Sequence, residues 1–115
     1  MRKRYCLTLD LKNDAALIRE YEEYHKHVWP EIIEDITGSG INNMEIYRFG
    51  SRLFMIMEVN DDFSFENKGG GDLVNQKVQE WEELMWKYQQ PIEGAKAGEK
   101  WVLMNKIFDL KDFLL

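Results

Sequence analysis

The segment Tyr21-Glu22-Glu23-Tyr24-His25-Lys26-His27-Val28-Trp29-Pro30-Glu31 gathers the residues best suited to chemistry in this chain. Imidazole titrates near neutrality and both takes and gives a proton, which suits His25 to general acid–base work. On a helix advancing ~100° per residue, Tyr21 lies only ~40° from His25, one turn behind it. Leu17, Ile18 and Val28 share the same ~100° sector, whereas His27 falls ~160° away on the opposite side. One face therefore carries aliphatic side chains, a tyrosine and an imidazole together. The same spacing also suits a core histidine satisfied by a backbone carbonyl, and a tyrosine that packs helix against sheet. No metal site is expected, because His25 and His27 diverge and neither an HExxH run nor a cysteine cluster is present.

Aromatic residues elsewhere fit a sugar pocket: Tyr47 in a strand-like run, Trp81 and Trp86 in a later helical run, and Trp29 before the proline. Sugars present apolar C–H faces and many hydroxyls, so aromatic platforms with a few polar tips suit them. Each of these residues taken alone also serves as core, and Met44 and Met55 read most simply as core filler. The pairs Glu22/Glu23 and Glu82/Glu83 read as solvated helix faces without a catalytic role. The run Lys68-Gly69-Gly70-Gly71-Asp72 lacks the Gly-Lys-Ser/Thr ending of a P-loop and reads as a mobile loop.

The elements that must hold these residues follow from periodicity. Residues 3–11 alternate as a strand, with Tyr5, Leu7, Leu9 and Leu11 on one face. Asn13 or Asp14 caps a helix running through Val28, where Pro30 interrupts it and steers residue 29 away from helical geometry. Glu31 to Ile36 resumes the helix until Gly38-Ser39-Gly40. Two strands, Ile41 to Phe49 and Leu53 to Val59, flank the turn Gly50-Ser51-Arg52. Residues 61–77 read as irregular, Val74 to Gln90 as a second helix ending near Pro91, and Lys100 to Leu110 as a last strand. The order β-α-β-β-α-β predicts a ferredoxin-like α+β sandwich with both helices on one sheet face. A second subunit is the economical cover for the other face, so a homodimer packed sheet to sheet, a barrel-like assembly, is expected.

Composition narrows the partners. A chain of 115 residues suits one domain over 1–115, and 44% hydrophobic residues supply a core. A net charge of −6 disfavours nucleic acid and anionic membranes. No apolar run approaches the ~20 residues of a membrane span, and the basic start lacks a secretory apolar region. The lone Cys6 and six methionines suit a reducing cytoplasm.

The pattern Tyr21-x-x-x-His25-x-x-x-Trp29-Pro30-Glu31 resembles the signature of the L-rhamnose mutarotase family. Gly40-Ile41-Asn42-Asn43-Met44-Glu45-Ile46-Tyr47 is similar to that family's second strand, and Leu53-Phe54-Met55-Ile56-Met57-Glu58 to its third. A tryptophan-bearing helix and a closing strand near Lys106-Ile107-Phe108 follow in order. The resemblance implies a ferredoxin-like homodimer with aldose 1-epimerase activity on L-rhamnose and no metal or other cofactor. By position, His25 resembles the catalytic proton donor and Tyr21 a sugar-contacting tyrosine. Trp81 matches the second member of a tryptophan pair lining the sugar site. Two positions depart from the pattern: Glu80 stands where the first tryptophan of that pair falls, and Met44 where a sugar-binding tyrosine falls. Trp86, from the next helical turn, is positioned to replace lost aromatic volume. L-Fucose, another 6-deoxy-L-hexose, therefore stands beside L-rhamnose as the expected monosaccharide.

Two other classes fit the same element order. A cofactor-free monooxygenase would consume oxygen with an oxidisable aromatic substrate. A sugar-binding or assembly module would leave anomer exchange unchanged. Fold alone does not choose among them.

Overall fold

The computed structural model describes residues 3–114. Strand β1 (Lys3–Leu11) runs as its alternation predicts, with Leu7, Leu9 and Leu11 buried. Asp14 then caps α1 (Ala15–Tyr24), its carboxylate accepting from the amides of Ala16 and Leu17. The helix stops four residues short of Val28. The amides of Lys26 and His27 bond Glu23 and Tyr24, three residues back, so the last turn tightens and ends. Trp29 is extended (ψ 137°), as the residue before a proline prefers, and Pro30 opens α2 (Pro30–Gly38) at its first turn.

Gly40, at φ +95°, makes the reversal into β2 (Ile41–Phe49), and Gly50, at φ +60°, makes the hairpin turn into β3 (Arg52–Val59). Beyond the hairpin, α3 (Phe65–Val74) and α4 (Gln76–Trp86) are separated by Asn75, which caps α4 through the amides of Lys77 and Val78. The triple glycine expected in a mobile loop thus lies inside α3. Ser64 caps that helix at the Asn67 amide, and Lys68 binds Asp72 one turn on.

The chain then returns to the sheet in two short pieces, β4 (Gln89–Gln90) and β5 (Val102–Leu103), both antiparallel to β1. Gln89 and Gln90, expected at a helix end, are therefore strand residues. The last strand is much shorter than Lys100 to Leu110. After the Met104 amide bonds the Cys6 carbonyl, pairing ends, and Asp109 caps a 3₁₀ turn at Leu110–Phe113. The order β2-β3-β1-β4, with β5 also on β1, is the antiparallel ferredoxin-like arrangement.

Both buried clusters lie between the helices and one sheet face. One joins Leu11, Tyr21, Ile32, Leu53, Val78, Trp81, Met85 and Tyr88; the other joins Leu7, Ile41, Met55, Met57 and Val59. Burying each leucine contributes roughly 1.5–3 kcal/mol. Tyr47, Phe54 and Thr8 pair across three strands on the opposite face, which contributes nothing to either cluster. Among the described residues, no helix is long and apolar enough to cross a membrane.

Candidate active site

His25 sits at the end of α1, where the helix has just stopped. Its Nδ1 lies 2.9 Å from the Tyr21 carbonyl oxygen. A carbonyl only accepts, so Nδ1 carries the proton and Nε2 keeps its lone pair. Partial burial lowers the imidazole pKa below its ordinary 6.5, with the Tyr21 carbonyl bond pulling the other way. The group is a neutral base at pH 7. The backbone-carbonyl partner expected of a core histidine is present at Nδ1, and Nε2 is left free of it.

Tyr21 is buried beside it, the two rings 4.3 Å apart and tilted by 36°. Burial pushes the phenol up to about 12; the Gln89 hydrogen bond opposes this, and the charge of Glu82 adds to it. The hydroxyl therefore keeps its proton and serves as a donor. Trp81, from α4, packs edge-on to His25 at 5.8 Å and to Trp29 at 5.1 Å. Trp81 holds the imidazole in place, and Trp29 backs Trp81.

Tyr21, His25 and Trp81 border a cavity of about 340 Å³, within the ~300–1,000 Å³ common for small-molecule sites. Tyr21, His25, Met44 and Trp81 all line it. Met44 does so because β2 turns it, with Ile46, toward the buried Met57 and Met55 of β3. A second hollow of about 440 Å³ shares His25, Ile32, Met44 and Trp81 with the first and reaches Asn42 and Asn43 at the β2 edge.

Three expected ligand contacts do not line either space. Tyr47 points to the opposite sheet face, because strand parity places it one residue beyond Ile46, and its hydroxyl bonds Glu45. Trp86 lies on the outer side of α4 with the Lys100 ammonium 4.6 Å over its ring. It does not replace the aromatic volume lost at Glu80, which itself faces solvent beside Lys77. Trp29 stands behind Trp81.

Polar groups that sequence reasoning set aside or missed also line the cavity. Glu82, read as a solvated face, borders it and is bound by Lys100 at 2.7 Å. Gln89 reaches it from β4, its Nε2 donating to the Tyr21 hydroxyl at 3.4 Å. Asp35 of α2 and Lys68 and Asp72 of α3 form a wall, with Lys68 Nζ 3.0 Å from each carboxylate. Burial presses on the Lys68 ammonium, but the two carboxylates outweigh it and raise its pKa. Asp72 is pushed up to about 6 by burial and by Asp35, against the pull of Lys68. The glycine run between Lys68 and Asp72 masked this grouping in the sequence. Among the described residues, no three His, Cys, Asp or Glu side chains are placed to hold a metal ion.

A neutral imidazole, a protonated tyrosine and an aromatic wall beneath an antiparallel sheet make up the cavity of a ferredoxin-like α+β protein. The sequence model of L-rhamnose mutarotase matches residues 4–110. The L-fucose mutarotase of Xanthomonas campestris pv. campestris is 41% identical over 112 residues, spanning 96% of this chain and 90% of its own. The L-rhamnose mutarotase of Oceanobacillus iheyensis is 29% identical over 82 residues, 70% of this chain and 71% of its own. The crystal structure of an L-rhamnose mutarotase from Formosa agariphila shares the fold, with a TM-score of 0.67 at 17% identity, covering 93% of this chain and 97% of that one. The chain belongs to the L-rhamnose mutarotase family, a family of sugar isomerases.

Proposed function

We propose that this protein interconverts the α and β anomers of a 6-deoxy-L-hexose, with L-fucose ahead of L-rhamnose. The observation that carries the reading is the fixed tautomer of His25, a neutral base with Nε2 unprotonated in a cavity walled by Tyr21 and Trp81. The order of the two sugars rests on the relatives, since the L-fucose enzyme is similar over more of the chain and at higher identity than the L-rhamnose enzyme.

In the proposed mechanism, Nε2 takes the proton of the anomeric hydroxyl as the bond from C1 to the ring oxygen breaks. The ring oxygen, hydrogen-bonded by the Tyr21 hydroxyl, then receives that proton from Nε2, giving the open-chain aldehyde. Rotation about C1–C2 presents the other carbonyl face, and the same transfers in reverse close the ring as the second anomer. His25 is thus the donor to the ring oxygen only after it has acted as base. Trp81 and Met44 offer apolar surface to the sugar, and Trp29 stiffens Trp81. General acid–base assistance contributes roughly 10²–10⁴-fold.

The protein is proposed to act as a homodimer in a reducing compartment, the cytoplasm. The helix-free sheet face and the exposed apolar residues after β5 support the dimer, and the free Cys6 supports the compartment.

Saturation-transfer NMR on the anomeric protons tests the reaction. Protein should accelerate α/β exchange of L-fucose more than that of L-rhamnose. Rates equal to the buffer rate for both sugars would overturn the proposal.

A further inference from the structure

Gln89 is the one residue among those described that leaves a buried side-chain polar atom, its Oε1, without a hydrogen-bond partner. Only 4% of the residue is exposed. Its backbone is fixed, because β4 pairs Gln89 with Leu11 of β1 and the Tyr88 carbonyl accepts the Lys12 amide alongside. The far end of the carboxamide is engaged as well: Nε2 donates to the Tyr21 hydroxyl. Buried amide oxygens nearly always accept a hydrogen bond, so an unsatisfied one on a residue that lines a cavity calls for a partner that the cavity can admit. Gln89 is also part of the wall of the cavity that Tyr21, His25 and Trp81 share.

We infer that Gln89 reads one non-anomeric hydroxyl of the sugar through Oε1 while its Nε2 fixes the Tyr21 hydroxyl. The two roles belong together chemically. A phenol that accepts from Nε2 has its own proton left over, so Tyr21 donates into the cavity rather than into the protein. The amide oxygen accepts, so Tyr21 and Gln89 together present a donor and an acceptor to two different atoms of one ligand. A sugar hydroxyl suits the acceptor because it brings a proton, which an ether or a C–H face does not. The wall also carries the apolar Leu7, Met55, Met85 and Trp101, while its charged groups Asp35, Lys68, Asp72 and Glu82 are engaged in ion pairs, so the unpaired amide oxygen stands out as the acceptor. Gln89 is a specificity-determining residue with a positioning effect on Tyr21.

This inference rests on the proposed mutarotase reaction, and the experiment separates the two. Anomer-exchange rates are measured by NMR for L-fucose and its 2-, 3- and 4-deoxyfluoro analogues, with the wild type and with Gln89→Met. Fluorine replaces the hydroxyl in size but has no proton to donate. At one ring position, fluorination should lower kcat/KM of the wild type about tenfold and leave Gln89→Met unchanged; at the other positions the two changes should combine additively. Additivity at all three positions overturns the inference while the reaction stands. No acceleration of L-fucose by the wild type is instead the failure of the reaction itself. Circular dichroism and thermal melting check that Gln89→Met folds. If it does not, Gln89→Glu keeps the acceptor oxygens and loses the Nε2 donor. That variant should retain the hydroxyl discrimination with a lower kcat and a near-normal KM; loss of the discrimination overturns the inference.

Discussion

The role proposed for His25 rests on a conflict resolved within one turn of helix. Its backbone amide and its Nδ1 both bond the Tyr21 carbonyl, at 3.2 Å and 2.9 Å, so one acceptor serves two donors and the ring cannot turn over without losing its bond. Replacing His25 by Asn should lower the anomer-exchange rate by roughly 10²-fold or more while the melting curve stays cooperative; full activity would remove His25 from the mechanism. The pH profile carries a sign. Folding lowers the imidazole pKa, so the unfolded chain takes the proton first as pH falls. Stability contributed by His25 is present above the ordinary 6.5 and is lost as pH falls through the lower folded value. The protein-dependent rate should be flat near pH 7–8 and fall in acid with a midpoint below 6.5, matching the titration of the His25 ring signals in NMR. A rate that rises in acid would mean that the imidazolium is the working form, and a midpoint above 6.5 would mean that burial does not depress the ring.

Spacing also decides which parts of this site a reader of the sequence can find. Tyr21 and His25 are four residues apart on one helix, so their meeting is written into the helical period. Met44 read alone is core filler, and only the family resemblance puts it at the sugar site. Gln89 meets Tyr21 across 68 residues, at a place where helix periodicity gives way to a two-residue strand, and no local signal announces it. Tyr47 shows the converse: an aromatic of the right type, one strand position away from the right face.

At the scale of elements, α3 is the segment whose stability comes from elsewhere. Each of Gly69, Gly70 and Gly71 costs about 1 kcal/mol relative to alanine in a helix interior, which is why the run reads as a loop. The helix forms because Lys68 ties it to Asp35 of α2 and to its own Asp72, and because Ser64 caps it. A Cβ at Gly70 or Gly71 meets nothing within 4 Å, and neither has a positive φ. Gly70→Ala and Gly71→Ala should therefore each stabilise the protein by about 0.5–1 kcal/mol in denaturant unfolding; destabilisation would mean that α3 leaves helical geometry in solution. Lys68→Met should do the reverse, leaving Asp35 and Asp72 facing each other beneath the cavity. Amide exchange in α3 should accelerate with β1 and β3 unchanged, and lowering the pH through about 6, where Asp72 takes up its proton in the intact protein, should partly restore protection. The sheet, by contrast, follows its alternation closely, since β1, β2 and β3 pair along nearly their whole predicted lengths.

At the scale of the molecule, the remaining apolar surface is what supports the proposed dimer. Thr8, Phe54 and Tyr47 make a row across β1, β3 and β2, with Ile56 and Cys6 beside it, and neither core cluster reaches them. Beyond β5 the chain carries Ile107 at 96% exposure, with Phe108, Leu110 and Phe113 also outward and only the two phenylalanines stacked on each other. The expected long last strand stops at Leu103, and the apolar residues beyond it are left uncovered within the chain. Patches of this kind mark association sites, and a sheet-to-sheet contact carrying the tail of each chain over the other covers both. Sedimentation equilibrium should give twice the 13.8 kDa protomer mass. Phe54→Asp, which sets a carboxylate at the middle of the row, should shift that equilibrium toward monomer. Because His25, Tyr21 and Trp81 all lie on the far side of the sheet, the monomer so produced should keep its far-UV circular dichroism and the His25 titration. A protomer-sized species for the wild type at micromolar concentration would refute the dimer and leave the face without an occupant.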